Sequence, residues 1–272
     1  MRRIRIAGLC LVAVFVMGAV FAGAASAANP EYGRCIKEGE KKLNNYDNAK
    51  CIKLASEDPG TEAEKLKKGS YVWHPGVPPK AGFTAALKPS TIATLETKAG
   101  TKVTCTGLSA AGKYTGLKTV SVQKTDFTGC ESGGIKCNTT GAGTGVIKVN
   151  ELEGELGLIS KNVKGSTKDK IGNVLWPKGG TPTSGSEFVE FACGGLTVKV
   201  KNSVISPVTA NAMKLTATVK YTASKGVQKP TKFEGGPNYF LESKFSAAPY
   251  EQSGQSATTI QTNEEKVEIR SL

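Results

Sequence analysis

From Tyr71 onward, apolar and polar residues alternate with a period of two between short turns rich in Gly, Pro and Ser. This alternation is typical of antiparallel strands that bury one face. About a dozen such segments recur with no helical crossover pattern between them, which favours an all-β architecture over a parallel sheet. The sequence therefore predicts an all-β fold, an antiparallel β-sandwich or barrel.

The clearest of these segments is Phe188–Ile205. The apolar residues that share one side are Val189, Phe191 and Cys193 in its first half, and Leu196, Val198 and Val200 in its second half. Gly194 and Gly195 separate the halves, and glycine accepts the positive φ that a tight hairpin turn requires. We therefore predict a hairpin here. The other predicted strands are Phe83–Leu87, Thr91–Thr97, Lys102–Thr106, Leu117–Val122, Val146–Leu152, Leu215–Tyr221, Tyr239–Phe245, Thr258–Thr262 and Lys266–Arg270.

Two segments differ in texture from these strands. Residues 28–70 are rich in Lys and Glu, and the best helix start is at Thr61, with Glu64 three residues later in the pattern of a capping box. We expect 28–70 to form a small N-terminal cap with short helices and 71–272 to form the antiparallel β domain. The Gly- and Pro-rich segment Lys161–Gly185 is expected to be a long loop, where functional residues often lie.

The first 27 residues have the pattern of a cleaved signal peptide. Arg2, Arg3 and Arg5 precede an apolar run from Ile6 to Phe21, and Ala25-Ser26-Ala27 matches a small-residue cleavage site. The apolar run is shorter than the roughly 20 residues that span a bilayer. We expect a protein that is secreted or displayed at the cell surface, with no membrane span in the mature chain.

Charge narrows the choice of partners. Removal of 27 of the 272 residues would leave 245, and the loss of three arginines from 36 Lys+Arg against 23 Asp+Glu would leave a net charge of +10. Only Arg34 and Arg270 would remain, so sequence-specific nucleic-acid binding, which relies on arginine forks, is not expected. Phe191–Phe233 holds seven lysines and no acid. Such a face suits cell-wall or other anionic polysaccharide, although lysines also protect strand edges from pairing.

Six cysteines would remain after cleavage, an even number that favours disulfides in an oxidising compartment. Zinc is the alternative, but there is no C-x-x-C pair and His74 is the sole histidine. Six cysteines allow 15 pairings. Small ring size favours Cys35–Cys51 and Cys130–Cys137, which leaves Cys105–Cys193. No metal site or cofactor is expected, since the four aspartates form no calcium-loop pattern.

Few residues in the sequence are candidates for catalysis. Nucleophilic hydrolysis would have to use His74 as its base. Glycoside hydrolysis needs only two carboxylates, which Glu151, Glu153 and Glu155, on one face of a strand, or Glu187 and Glu190 would supply. An acidic solvent face that balances lysines explains the same residues.

Trp73 and Trp176 lie beside prolines, where an indole ring would be displayed for stacking on a sugar, and they are the candidate ligand-binding residues. The alternative is that both rings pack in the core.

Several short sequence segments resemble a family of uncharacterised secreted proteins from high-GC soil actinobacteria. These segments are Tyr32-Gly33-Arg34-Cys35, Ala93–Thr97, Thr128–Gly134, Cys193–Val198 and Gln261–Glu265. The resemblance implies a secreted bacterial protein and brings no activity with it.

We therefore expect an exported, non-enzymatic binding or structural component of the cell envelope or extracellular space. A secreted glycan-active enzyme that uses paired glutamates is the alternative.

Overall fold

The computed structural model of the protein describes residues 30–38, 46–51, 53, 55, 69–161, 169–208 and 213–270. Every regular element in these residues is a β-strand, so the predicted all-β fold is confirmed. The strands in chain order are β1 (Glu31–Lys37), β2 (Tyr71–Pro75), β3 (Gly82–Leu87), β4 (Ala93–Thr97), β5 (Lys102–Cys105), β6 (Gly107–Tyr114), β7 (Thr119–Thr128), β8 (Glu131–Ser132), β9 (Ile135–Asn138), β10 (Ile147–Val149), β11 (Leu152–Ser160), β12 (Lys170–Pro177), β13 (Glu187–Cys193), β14 (Leu196–Asn202), β15 (Val204–Val208), β16 (Lys214–Ser224), β17 (Val227–Lys229), β18 (Leu241–Phe245) and β19 (Glu251–Arg270).

Eight antiparallel strands close into a barrel, which decides between the two predicted architectures. Around the ring their order is β3, β6, β7, β11, β12, β15, β16 and β19. The last strand, β19, pairs with the first, β3. The ring closes between β15 and β16, which lie side by side. A closed barrel leaves no free strand edge along its wall, so the pairing hazard of an open sheet is removed.

A second ring of strands shares β19 with the barrel. Its order is β4, β5, β8, β9, β13, β14, β18 and β19, and every neighbouring pair is hydrogen-bonded in antiparallel register. The beginning of β19, from Glu251 to Ser256, pairs within the second ring. The stretch from Ala257 to Asn263 pairs within the barrel. One long strand therefore joins two closed sets of strands.

The predicted hairpin at Phe188–Ile205 is confirmed as β13 and β14 of the second ring. Val189 lies opposite Val200 and Phe191 opposite Val198, with Gly194 at a φ of 59° in the turn between them. These four apolar residues are buried, at 6% exposure or less. Burying each such side chain stabilises the fold by about 1.5 to 3 kcal/mol. The alternation seen in the sequence thus marks the inner face of the second ring.

The disulfides agree with the predicted pairing at one site and differ at two. Cys35–Cys51 is confirmed. The predicted Cys130–Cys137 and Cys105–Cys193 are wrong, because the bonds are Cys105–Cys130 and Cys137–Cys193. Ring size reflects only the unfolded chain, whereas the folded sheet brings Cys137 directly opposite Cys193, with 4.1 Å between their Cα atoms. The backbone N–H of Cys137 instead donates a hydrogen bond to the carbonyl oxygen of Cys130.

The two disulfides of the second ring lie where its strand pairing is shortest. β5 and β8 share the single residue pair Thr104 and Glu131, and the Cys105–Cys130 bond lies directly beside it. β9 and β13 share two residue pairs, and Cys137–Cys193 is one of them. Because few residue pairs join the strands at these two places, the disulfides hold the second ring closed there.

Two further expectations meet the structure in different ways. The long loop expected over Lys161–Gly185 is wrong in part, because Lys170–Pro177 is strand β12 of the barrel wall. Residues 31–37 of the expected cap form β1, which pairs with β2 and with the end of β19.

The signal peptide at 1–27 and the helix start at Thr61 lie outside the described residues. Within the described part of the chain, no helix is long and apolar enough to cross a membrane.

Candidate functional site

Trp73 lies in β2 and is engaged by its neighbours. Its Nε1 donates a hydrogen bond of 2.7 Å to Glu31 Oε1, and the guanidinium of Arg270 lies 5.2 Å from its ring centre. The ring packs beside the Cys35–Cys51 disulfide and Tyr46. Trp73 therefore fastens the cap to the end of β19 through these contacts.

Trp176 lies in the barrel wall on β12, a different element from Trp73. It is half-buried and stands opposite Glu153 of β11. Its Nε1 is buried, and no hydrogen-bond partner occurs among the described residues. Carbohydrate binding by the two tryptophans stays a prediction, and the structure places them on separate elements.

Three of the five candidate glutamates, Glu151, Glu187 and Glu190, pair with lysines. Glu151 accepts a hydrogen bond of 2.6 Å from Lys178. Glu187 and Glu190 share Lys199, at 3.2 and 2.6 Å, and these hydrogen bonds raise the pKa of the lysine. Lysines thus compensate the negative charges of Glu151, Glu187 and Glu190. The sole histidine, His74, lies 2.6 Å from Glu38, and the described residues contain no cluster of three or more potential metal ligands.

The interior of the barrel contains a cavity of about 130 Å³. One side is aliphatic, with Val120 and Val122 from β7, Leu152 from β11 and Leu175 from β12. These residues alternate with outward-facing neighbours along their strands, as expected for a barrel interior. We call these four side chains the aliphatic wall; Thr125 of β7 and Asn173 of β12 line the cavity from the same strands.

Aromatic rings close one end of the cavity. Tyr32 enters from β1, outside the ring of eight strands, and its ring centre lies 4.6 Å from that of Tyr114. Tyr114 in turn lies 5.3 Å from Phe83. The Tyr32 hydroxyl donates a hydrogen bond of 2.6 Å to Asn173 Oδ1. Burial raises the pKa of both tyrosines, so their phenols stay neutral and remain hydrogen-bond donors.

The opposite end of the cavity adjoins the second ring. Phe127, Val149, Phe188 and Gln255 line both this cavity and a smaller one of about 60 Å³ inside the second ring. Three apolar side chains and one amide therefore form the partition between the two interiors.

Four residues of β19 turn polar side chains toward the cavity, whereas Val267 and Ile269, nearer the end of the same strand, add apolar ones. We call these four residues the polar wall; its members are Gln255, Thr259, Gln261 and Asn263. Gln261 Nε2 donates to Tyr114 Oη at 3.0 Å and to Asn263 Oδ1 at 2.9 Å. Asn263 Nδ2 donates to the carbonyl oxygen of Lys214 at 3.3 Å. Among the described residues, no donor pairs with Gln261 Oε1.

No protein-family model, curated protein or solved structure matches the chain. The contacts that the cavity can offer a ligand are therefore inferred from the side chains that line it. The polar wall offers amide and hydroxyl hydrogen bonds, and the aliphatic wall offers contact with apolar surface. This combination of a mostly apolar lining with a few convergent polar groups is that of a small-molecule site.

The polar wall is absent from the predictions made from the sequence, although the sequence carries a signal for it. Gln255, Thr259, Gln261 and Asn263 are two or four residues apart, which places them on one face of a strand, while Ile260 lies on the other. In an ordinary barrel strand the apolar residues face inward. An inverted pattern marks a strand that turns polar groups toward the interior, where they require partners.

Proposed function

We propose that this protein is an exported, non-enzymatic binding protein that holds a small ligand inside its barrel. One observation carries the proposal, the cavity of about 130 Å³ with the polar wall of β19 on one side and the aliphatic wall on the other. A barrel of eight strands is wide enough either to be filled by side chains or to hold one small ligand. The interior of this barrel is not filled.

The polar groups that face the cavity support a ligand. An amide or hydroxyl moved from water into apolar surroundings costs about 1 to 3 kcal/mol when it gains no hydrogen bond. Thr259 is only 4% exposed, and Gln261 Oε1 has no donor among the described residues. A bound molecule with polar groups on one edge would form hydrogen bonds with the threonine hydroxyl and the glutamine oxygen and would fill the space.

Export is supported by the predicted signal peptide and by the three disulfides, since such bonds persist in oxidising compartments. We place the protein in the extracellular space or at the cell envelope. Anionic polysaccharide is a weaker candidate ligand. Two of the seven lysines of the predicted basic face, Lys199 and Lys201, are neutralised by ion pairs with Glu187, Glu190 and Glu242.

For Glu151, Glu187 and Glu190, a role in a glycan-active enzyme is disfavoured by the same kind of contact. Glycoside hydrolysis requires an acid and a base that flank a sugar. Glu151 is paired with Lys178, and Glu187 and Glu190 converge on a single lysine.

The test is nuclear magnetic resonance titration of the disulfide-bonded chain from residue 28 with benzene and with phenol. Binding in the cavity should shift the methyl signals of Val120, Val122 and Leu175. Ala85 lines the cavity, whereas Ala86, its neighbour on β3, is exposed on the outer face. Ala85→Leu should fill the space and abolish binding, and Ala86→Leu should leave it intact. Absence of shifts with both probes, or equal loss in both variants, would refute the proposal.

A further inference from the structure

The two chemically different walls of the cavity face each other across the barrel. In the ring of eight strands, β19 and β11 are four positions apart in either direction, so the polar wall lies opposite Leu152. A ligand between them meets hydrogen-bonding groups on one edge and aliphatic carbons on the other. Neither a hydrocarbon nor a molecule that is polar on all sides satisfies both walls.

Two groups on the polar wall define the polar edge of the ligand. Gln261 Nε2 already donates hydrogen bonds to Tyr114 and Asn263, which leaves Oε1 as an acceptor toward the cavity. Thr259, two residues earlier on the same inner face, adds a hydroxyl that both donates and accepts. A ligand hydroxyl can donate to the glutamine oxygen and accept from the threonine.

The charge of the lining argues for a neutral ligand. Of the lining residues in the described part of the chain, Lys214 alone carries a full charge at neutral pH, and it is exposed. A carboxylate inside the barrel would lose its hydration beside the aliphatic wall without gaining a buried cation, which is costly.

The volume sets the size of the ligand. A dry protein cavity of about 150 Å³ accepts benzene, and the cavity here is about 130 Å³. We infer that the cavity selects an uncharged molecule of about one ring with a hydroxyl-type edge that donates and accepts hydrogen bonds, phenol being the simplest. This inference rests on the proposed function and names the ligand class for the same site.

The experiment compares benzene, phenol and benzoate as probes on the disulfide-bonded chain, with dissociation constants measured by the same titration. Phenol should bind about tenfold more tightly than benzene, the gain expected of one hydrogen bond made with a buried partner. Benzoate should bind more weakly than phenol. Equal affinities for benzene and phenol, or tightest binding of benzoate, would overturn the inference while leaving cavity binding in place. Failure of all three probes would instead remove the proposed function.

Variants on one strand locate the selectivity. Gln261→Met keeps the side-chain length and removes the acceptor, so it should bind phenol and benzene equally. Gln252→Met is the matched control, since Gln252 lies on the outer face of β19 opposite Glu242. It should keep the tenfold preference. If Gln261→Met fails to fold by circular dichroism, Thr259→Val provides the second test and should also lower the preference. A preference unchanged in Thr259→Val and in any folded Gln261→Met, or lost equally in Gln252→Met, would refute the role of the polar wall.

Discussion

The hydroxyl of Tyr32 donates a hydrogen bond of 2.6 Å to Oδ1 of Asn173, which lies 141 residues further along the chain. Tyr32 comes from β1, outside the ring of eight strands, and is 1% exposed. The bond therefore ties the N-terminal strand to the inside of the barrel and helps to close the aromatic end of the cavity.

Tyr32→Phe should lower the free energy of unfolding by about 0.5 to 1.5 kcal/mol, because the half-buried Asn173 oxygen would lose its donor. Chemical denaturation measures this loss. Tyr250→Phe is the control, since Tyr250 lies beside Lys201 and Lys244, at the outer face of the second ring. It should change stability by no more than about 0.5 kcal/mol. Equal effects of the two substitutions would contradict a special role for the Tyr32 hydroxyl.

Glu268 should make stability depend on pH. Burial raises its pKa from 4.5 to about 7, although Arg270 and Lys50 oppose the rise, and the side chain is 1% exposed. The folded chain thus keeps a proton that the unfolded chain releases between about pH 4.5 and 7. Because the folded state binds more protons in this window, its stability should fall as pH rises through it and should then level off.

Glu268→Gln should remove that loss. The variant should match the parent chain near pH 4 and exceed it in stability above pH 7, as measured by denaturation at several pH values. Glu155→Gln, at an exposed position of β11, is the control and should retain the parent pH dependence. A parent chain with the same stability at pH 5 and pH 8, or a Glu268→Gln variant with an unchanged profile, would disprove this account of Glu268.

Local pattern predicted part of this fold and failed where closure of the rings decides the outcome. The β13 and β14 hairpin was predictable because each strand has one uniformly apolar face. The alternation predicts strand β19 as two pieces, since the polar residues from Asn263 to Glu265 interrupt it, yet the strand continues through an irregularity in its pairing with β16. The cavity was not predictable, because it depends on which strands face each other across the barrel.

The disulfide assignment can be tested directly. Digestion without reduction should give a peptide that links Cys137 to Cys193, and detection of a Cys130–Cys137 link would contradict the structure. Replacing Cys137 and Cys193 with serine opens a connection that spans 56 residues, against 16 for Cys35 and Cys51. In the chain-entropy model these losses cost about 4 and about 3 kcal/mol. The larger loss should also loosen the second ring, where the bond joins a pair of strands with only two residue pairs.

Phe188 is the side chain through which the two interiors can be joined. It is 6% exposed and lines both the cavity of the barrel and the smaller cavity of the second ring. Phe188→Ala should cost about 3 to 5 kcal/mol of stability and should connect the two spaces, so that a two-ring molecule such as naphthalene binds where the parent chain excludes it. Phe191→Ala is the matched control, because Phe191 lines only the smaller cavity. It should cost a similar amount of stability without admitting naphthalene, and naphthalene binding in both variants would show that Phe188 is not the partition.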